Sequence, residues 1–172
     1  MRRPALLALV VVAAAVLLAR GAAARPLTAF CKSPQLTGRF TAVPGSAGAG
    51  NIVYALVLRN TSQRPCAVSG LPKLTLLGVH GKTLRTNVRA ASANQLTAVL
   101  VRLSPGASAQ ATARFSPDIP GPGEPIQGAC EPKAYRLAVT DPGGGVTLVP
   151  VQPPTSVCEQ GQLQFKAYTR AP

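Results

Sequence analysis

Few residues of this chain could do chemistry. It has one imidazole, His80, and five carboxylates, Asp118, Glu124, Glu131, Asp141 and Glu159. Acid–base catalysis needs titratable groups held within reach of one another, and the spacing of these six does not promise that. His80 could act as the base for a serine. Gly78 and Gly81 flank it, however, and Val79-His80-Gly81-Lys82 reads as a hairpin turn in which the imidazole faces water. The acids fall in loops or beside cysteines, with nothing that marks the paired carboxylates of a glycosidase. Gly143-Gly144-Gly145 lacks the Lys-Ser/Thr that a phosphate loop requires. The chain therefore reads as no enzyme, with no metal and no cofactor.

The four cysteines, Cys31, Cys66, Cys130 and Cys158, contain no Cys-x-x-Cys pair that would suggest redox or zinc chemistry. Their even number implies two disulfides in an oxidising compartment. Three connectivities are open. We take the pairing of chain neighbours, Cys31 with Cys66 and Cys130 with Cys158, each closing a loop of roughly thirty residues worth about 3 to 4 kcal/mol in the chain-entropy model.

The N-terminus agrees with that compartment. Met1-Arg2-Arg3 is basic, Ala5 to Ala19 is apolar, and Ala22-Ala23-Ala24 supplies small residues for a signal peptidase. The apolar run is shorter than the roughly 20 residues of a spanning helix. We read 1–24 as a cleaved signal peptide, 25–30 as a short lead and 31–172 as one domain, secreted or extracellular and retained at the cell wall in a variant of that reading.

The remaining chemistry is cationic. Without Arg2, Arg3 and Arg20, fifteen Lys and Arg face five acids, a net charge of +10. Lys82, Arg85 and Arg89, with the outward Arg102, Arg114, Arg136 and Lys166, could form a stripe that holds phosphate or carboxylate groups by charge-assisted hydrogen bonds. An anionic cell-wall polymer, a membrane surface or a protein would be the partner. Aromatic residues do not interleave with these bases, so specific nucleic-acid binding is not expected. The plainer reading is a solvated surface, because the thirteen arginines are scattered.

The elements that must position these residues read as strands. Asn51 to Arg59 is the strongest, with Ile52, Tyr54, Leu56 and Leu58 on one face. Ala107 to Phe115 alternates most cleanly. Gln35 to Thr41, Lys73 to Val79, Leu96 to Leu103 and Val146 to Val151 add further strands. Ala134 to Thr140 places Tyr135, Leu137 and Val139 inward, and Gln162 to Tyr168 places Leu163, Phe165 and Ala167 inward. Between the first two strands named, Asn60 to Leu76 is a joint: turn residues, Cys66, then Gly70-Leu71-Pro72. Asn60-Thr61-Ser62 matches a glycosylation acceptor but reads as a turn. Ser116 to Pro125 is a proline-rich loop, and no helix is expected after the signal. Seven to nine short strands argue for an all-β, two-sheet antiparallel sandwich with a lean core of Leu, Val and Ala.

Asn60-Thr61-Ser62, Pro65-Cys66, Gly70-Leu71-Pro72, Val79-His80-Gly81-Lys82 and Leu103-Ser104-Pro105-Gly106, in order and with all four cysteines, resemble the actinobacterial secreted family known as domain of unknown function 4232. The resemblance spans about Cys31 to Ala167. It implies an exported or lipid-anchored, immunoglobulin-like β-sandwich without an established activity, and it carries over no catalytic residue. The chain differs from many relatives in lacking a lipobox and in having Leu71 where an aromatic is usual. The expectation is a monomeric, non-enzymatic protein of the cell exterior. The alternative is a secreted protease inhibitor that presents Ser116 to Pro125 as bait.

Overall fold

The structure, a computed structural model, describes residues 28–92 and 99–172. The signal-peptide reading of 1–24, most of the lead and part of the run from Leu96 to Leu103 lie outside the described residues. Among the described residues eleven strands follow one another: β1 (Leu36–Ala42), β2 (Ile52–Asn60), β3 (Cys66–Ser69), β4 (Lys73–Leu77), β5 (Asn87–Ala90), β6 (Leu100–Leu103), β7 (Ser108–Phe115), β8 (Ala134–Thr140), β9 (Val146–Thr155), β10 (Gln162–Phe165) and β11 (Thr169–Arg170). The additions to the expected seven to nine are short pieces such as β3, β5 and β11, too brief for alternation to reveal.

The period-two pattern decides the central pair. On β7, Ala109, Ala111, Ala113 and Phe115 are buried, and they stand opposite Leu58, Leu56, Tyr54 and Ile52 of β2. Three small residues facing large ones leave room above the sheet. Phe40 of β1 fills that room, its ring 5.0 Å from Tyr54, 6.2 Å from Phe165 and 6.5 Å from Phe115. The lean core thus gathers its aromatics at one point.

Nine strands join in one sheet ordered β4-β8-β9-β1-β2-β7-β10-β5, with β11 on β7, while β3 and β6 form a separate ribbon. The expectation of a purely antiparallel sandwich needs correction. β1 runs parallel to β9 and β10 parallel to β5, and the large sheet curls until its ends nearly meet. The Leu84 N–H donates to the Leu76 carbonyl at 2.9 Å, and the Leu76 N–H donates to the Thr86 hydroxyl at 2.9 Å, so the edge of β4 is covered by the segment that leads into β5. The protein is mostly β, with a mixed, barrel-like sheet. Alternation reports which face is buried and not the direction of the neighbouring strand.

The disulfides join Cys31 to Cys66 and Cys130 to Cys158. They sit at opposite ends of the sheet. Cys66 follows the Asn60 end of β2, whereas the Cys158 N–H donates to the carbonyl of Ser116, beyond the end of β7 that faces Ile52. Asn60 itself is fully buried. Its amide nitrogen donates to the carbonyls of Arg64 (2.8 Å) and Leu103 (3.0 Å), and its oxygen accepts from the N–H and hydroxyl of Ser62. The acceptor-like triplet is a corner built on an inward amide.

Two further expectations change. Pairing between β8 and β9 is irregular from Ala134 to Arg136, and alternation slips there by one residue. Tyr135 is 42% exposed instead of inward. The stretch Val79–Gly81 is a 3₁₀ turn, and Cys158–Gly161 is a helical turn in which Glu159 and Gln160 take left-handed backbone angles.

Candidate functional site

Side chains directly opposite in neighbouring strands share a face, so the pairing registers locate the cations. Val53, Arg114, Gln164 and Arg89 form one outward row across β2, β7, β10 and β5. Lys166 lies one step away, its N–H donating to the Thr112 carbonyl at 2.9 Å. A strand spacing of ~4.8 Å and a rise of ~3.4 Å per residue put Arg89, Arg114 and Lys166 on a triangle with sides of about 8 to 10 Å. A shallow hollow lined by Val53, Thr112, Gln164 and Ala91 opens between Arg114 and Lys166. The same face continues over β1 and β2 with Arg39 and Arg59, for Arg39 stands opposite Val57 and Arg59 opposite Ser108.

No strand of the structure carries an Asp or a Glu; the five acids all lie in connections. Among the described residues the one ion pair joins Arg85 to Glu131 at 3.9 Å. The basic face is therefore not neutralised from within the sheet.

The structure does not unite all seven basic candidates in one stripe. It brings together Arg89, Arg114 and Lys166. Arg102 stands on β6, in the separate ribbon, and Arg85 turns to Glu131. Arg136 and Lys82 flank Tyr135 on the part of the sheet formed by β4 and β8. Arg39 and Arg59 are not among the seven candidates, because which residues share a face follows from strand pairing and not from one strand's own sequence. Each is an exposed cation beside a buried apolar neighbour, Phe40 for Arg39 and Leu58 for Arg59, and that is the signal the sequence carries.

His80 is exposed in its turn, and the hollow beside it is lined by Gly78, Val79, Gly81, Tyr135 and Arg136, with neither serine nor carboxylate. Glu124 behaves differently from the exposed loop acid Asp118. It is buried, and its carboxylate accepts the backbone N–H groups of Gly121 (2.7 Å), Glu159 (2.9 Å) and Gln160. Burial pushes its pKa up. The three N–H donors and the nearby Arg85 charge outweigh burial and hold the carboxyl below the ordinary glutamate range. Glu124 lies close to the sulfurs of Cys130 and Cys158, but those sulfurs are bonded to each other. The group offers a metal one carboxylate and no thiolate.

The same carboxylate ties the Ser116 to Pro125 loop inward from its far end. At the near end, the Ser116 hydroxyl accepts the Ile119 N–H at 2.9 Å. Two disulfides fit an oxidising compartment, and no described helix is long and apolar enough to cross a membrane. The family model described as a domain of unknown function (DUF4232) matches residues 31–169. No curated protein and no solved structure matches the chain.

Proposed function

We propose that this chain, which belongs to the DUF4232 family, is a secreted, non-enzymatic, monomeric protein that holds an anionic polymer of the cell envelope. In this reading its curled sheet and the β3–β6 ribbon are a distorted immunoglobulin-like sandwich. Val68 and Leu103 of the ribbon are buried in the same core as Leu56 and Leu58 of the sheet, which supports two layers.

The observation that carries the functional reading is the outward face with Arg89, Arg114, Arg39 and Arg59 on strands that hold no carboxylate, and Lys166 one residue past the end of β10. Cations spaced by the strand lattice match phosphate or carboxylate groups repeated along a chain. Each contact displaces a counterion, so binding should weaken with salt. The protease-inhibitor reading draws less support, because the Ser116 to Pro125 loop is held against the body where the Ser116 carbonyl accepts the Cys158 N–H and the Glu124 carboxylate accepts the N–H groups of Glu159 and Gln160.

The test is titration of the mature protein with polyphosphate across a salt series. Substituting R89Q/R114Q/K166Q should lower the slope of log affinity against log salt by roughly two to three. The triple variant R64Q/K73Q/R102Q, equal in charge and exposed away from that cluster, should lower it less. Equal losses would mean diffuse charge without a face, and no binding at low salt would end the proposal.

A further inference from the structure

Tyr135 has an unusual position for a large aromatic in an aromatic-poor domain. Where alternation slips at the start of β8, its ring stands out beside Val79, which is 53% exposed. Two hollows meet at this pair. One, about 470 Å³, is lined by Gly78, His80 and Arg136. The other, about 280 Å³, is lined by Leu84, Lys82 and Lys133. The larger falls within the ~300 to 1,000 Å³ of small-molecule sites, and the smaller lies just below it.

The charge around the ridge has one sign. Arg136 stands on one side, Lys82 and Lys133 on the other, and neither hollow is lined by a carboxylate. Glu131, the nearest acid in sequence, is engaged with Arg85. The turn also keeps a shape that a relaxed chain would avoid: His80 has φ 55, a left-handed conformation uncommon outside glycine and seen more often at functional positions. Val79 and Tyr135 thus form an apolar ridge between two cationic hollows.

We infer that this ridge is a binding site for an acidic sugar, with one pyranose ring lying against Tyr135 and its carboxylate or phosphate groups reaching Arg136 on one side and Lys82 or Lys133 on the other. The C–H face of a pyranose packs flat on an aromatic ring, and the flanking cations supply charge-assisted hydrogen bonds. A neutral glycan would leave the cations unused. An acidic peptide would gain charge contacts only, since the edge of β4, where a peptide strand could add, is already bonded to the segment from Thr83 to Thr86. The site is separate from the basic face of β7 and β10 and needs nothing from it.

The test is NMR titration of the mature protein with trigalacturonic acid, maltotriose and triglutamate. Trigalacturonic acid should shift the resonances of Val79, His80 and Tyr135, and maltotriose should bind at least about tenfold more weakly. Y135A should lose about tenfold, and K82Q/K133Q should lose several-fold together with salt dependence. R89Q/R114Q/K166Q should leave the trigalacturonate-induced shifts of Val79, His80 and Tyr135 as they are in the wild type. Tyr135 is exposed enough for Y135A to fold, and the three probes decide the matter on the unaltered protein if it does not. Triglutamate binding as tightly as the sugar acid, Y135A binding unchanged, or no shifts at this ridge would overturn the inference.

Discussion

The backbone N–H of Glu159 donates to the carboxylate of Glu124 at 2.9 Å. Two acidic residues 35 positions apart are thereby joined through the main chain of one and the side chain of the other. Glu159 and Gln160 are held in left-handed conformations, and successive N–H groups in such a turn converge on one anion. Here the anion is part of the protein. Gly161, also left-handed, brings the turn so close to Arg85 that an added Cβ would lie 2.1 Å from its carbonyl oxygen.

The Glu124 carboxyl is held below the ordinary glutamate range, so its contribution is present in full above about pH 4.5 and is lost as pH falls through its lower, folded value. Glu124→Gln leaves N–H donors facing an amide and should lower stability by about 1 to 3 kcal/mol at pH 7. It should also flatten the acid limb of an unfolding titration. An acid limb unchanged from the wild type would show that another carboxyl is responsible.

Asp141 should behave in the opposite sense. It is buried, accepts the Thr147 hydroxyl at 2.7 Å, and its second oxygen meets no donor among the described residues. Burial pushes its pKa up against the Thr147 bond. The folded state therefore keeps this proton to higher pH than the unfolded state, and stability falls as pH rises from about 3.8 through the folded value. Asp141→Asn keeps the acceptor for Thr147 and removes the charge. Its melting temperature at pH 7 should equal or exceed that of the wild type; a drop of several degrees would refute the assignment.

Asn60→Asp exchanges two buried N–H donors for an oxygen set against the carbonyls of Arg64 and Leu103. Denaturant unfolding should show a loss of about 2 to 4 kcal/mol. Expressed in a glycosylating host, the wild-type protein should carry no sugar at Asn60 once folded, which mass spectrometry can read directly.

Each disulfide closes a long loop, 35 residues for Cys31–Cys66 and 28 for Cys130–Cys158. Replacing either pair by serine should cost about 3.5 to 4 kcal/mol in the chain-entropy model. Since the two bridges hold opposite ends of the sheet, the separate losses should sum in the quadruple variant to within about 0.5 kcal/mol if it still folds. A clear excess over that sum would mean that the two ends are coupled through the barrel.

Much of this protein is written locally. The alternation of Ala109, Ala111, Ala113 and Phe115, the β-branched run from Ile52 and the turn residues after Asn60 specify strands and a corner, because period two and turn chemistry act over a few residues. The ordered motifs also identify the family. Sequence alone could not show that β1 and β10 each take a parallel neighbour, that alternation slips at Tyr135, or that Glu124 points inward. Nor could it show that Arg89, Arg114 and Lys166 cluster, while Arg136 lies strands away on the same outer face and Arg102 stands on the separate ribbon. Those facts depend on which strands become neighbours and in what register. Register is set by closing the whole sheet around Phe40, a many-body packing condition that no single stretch of chain contains.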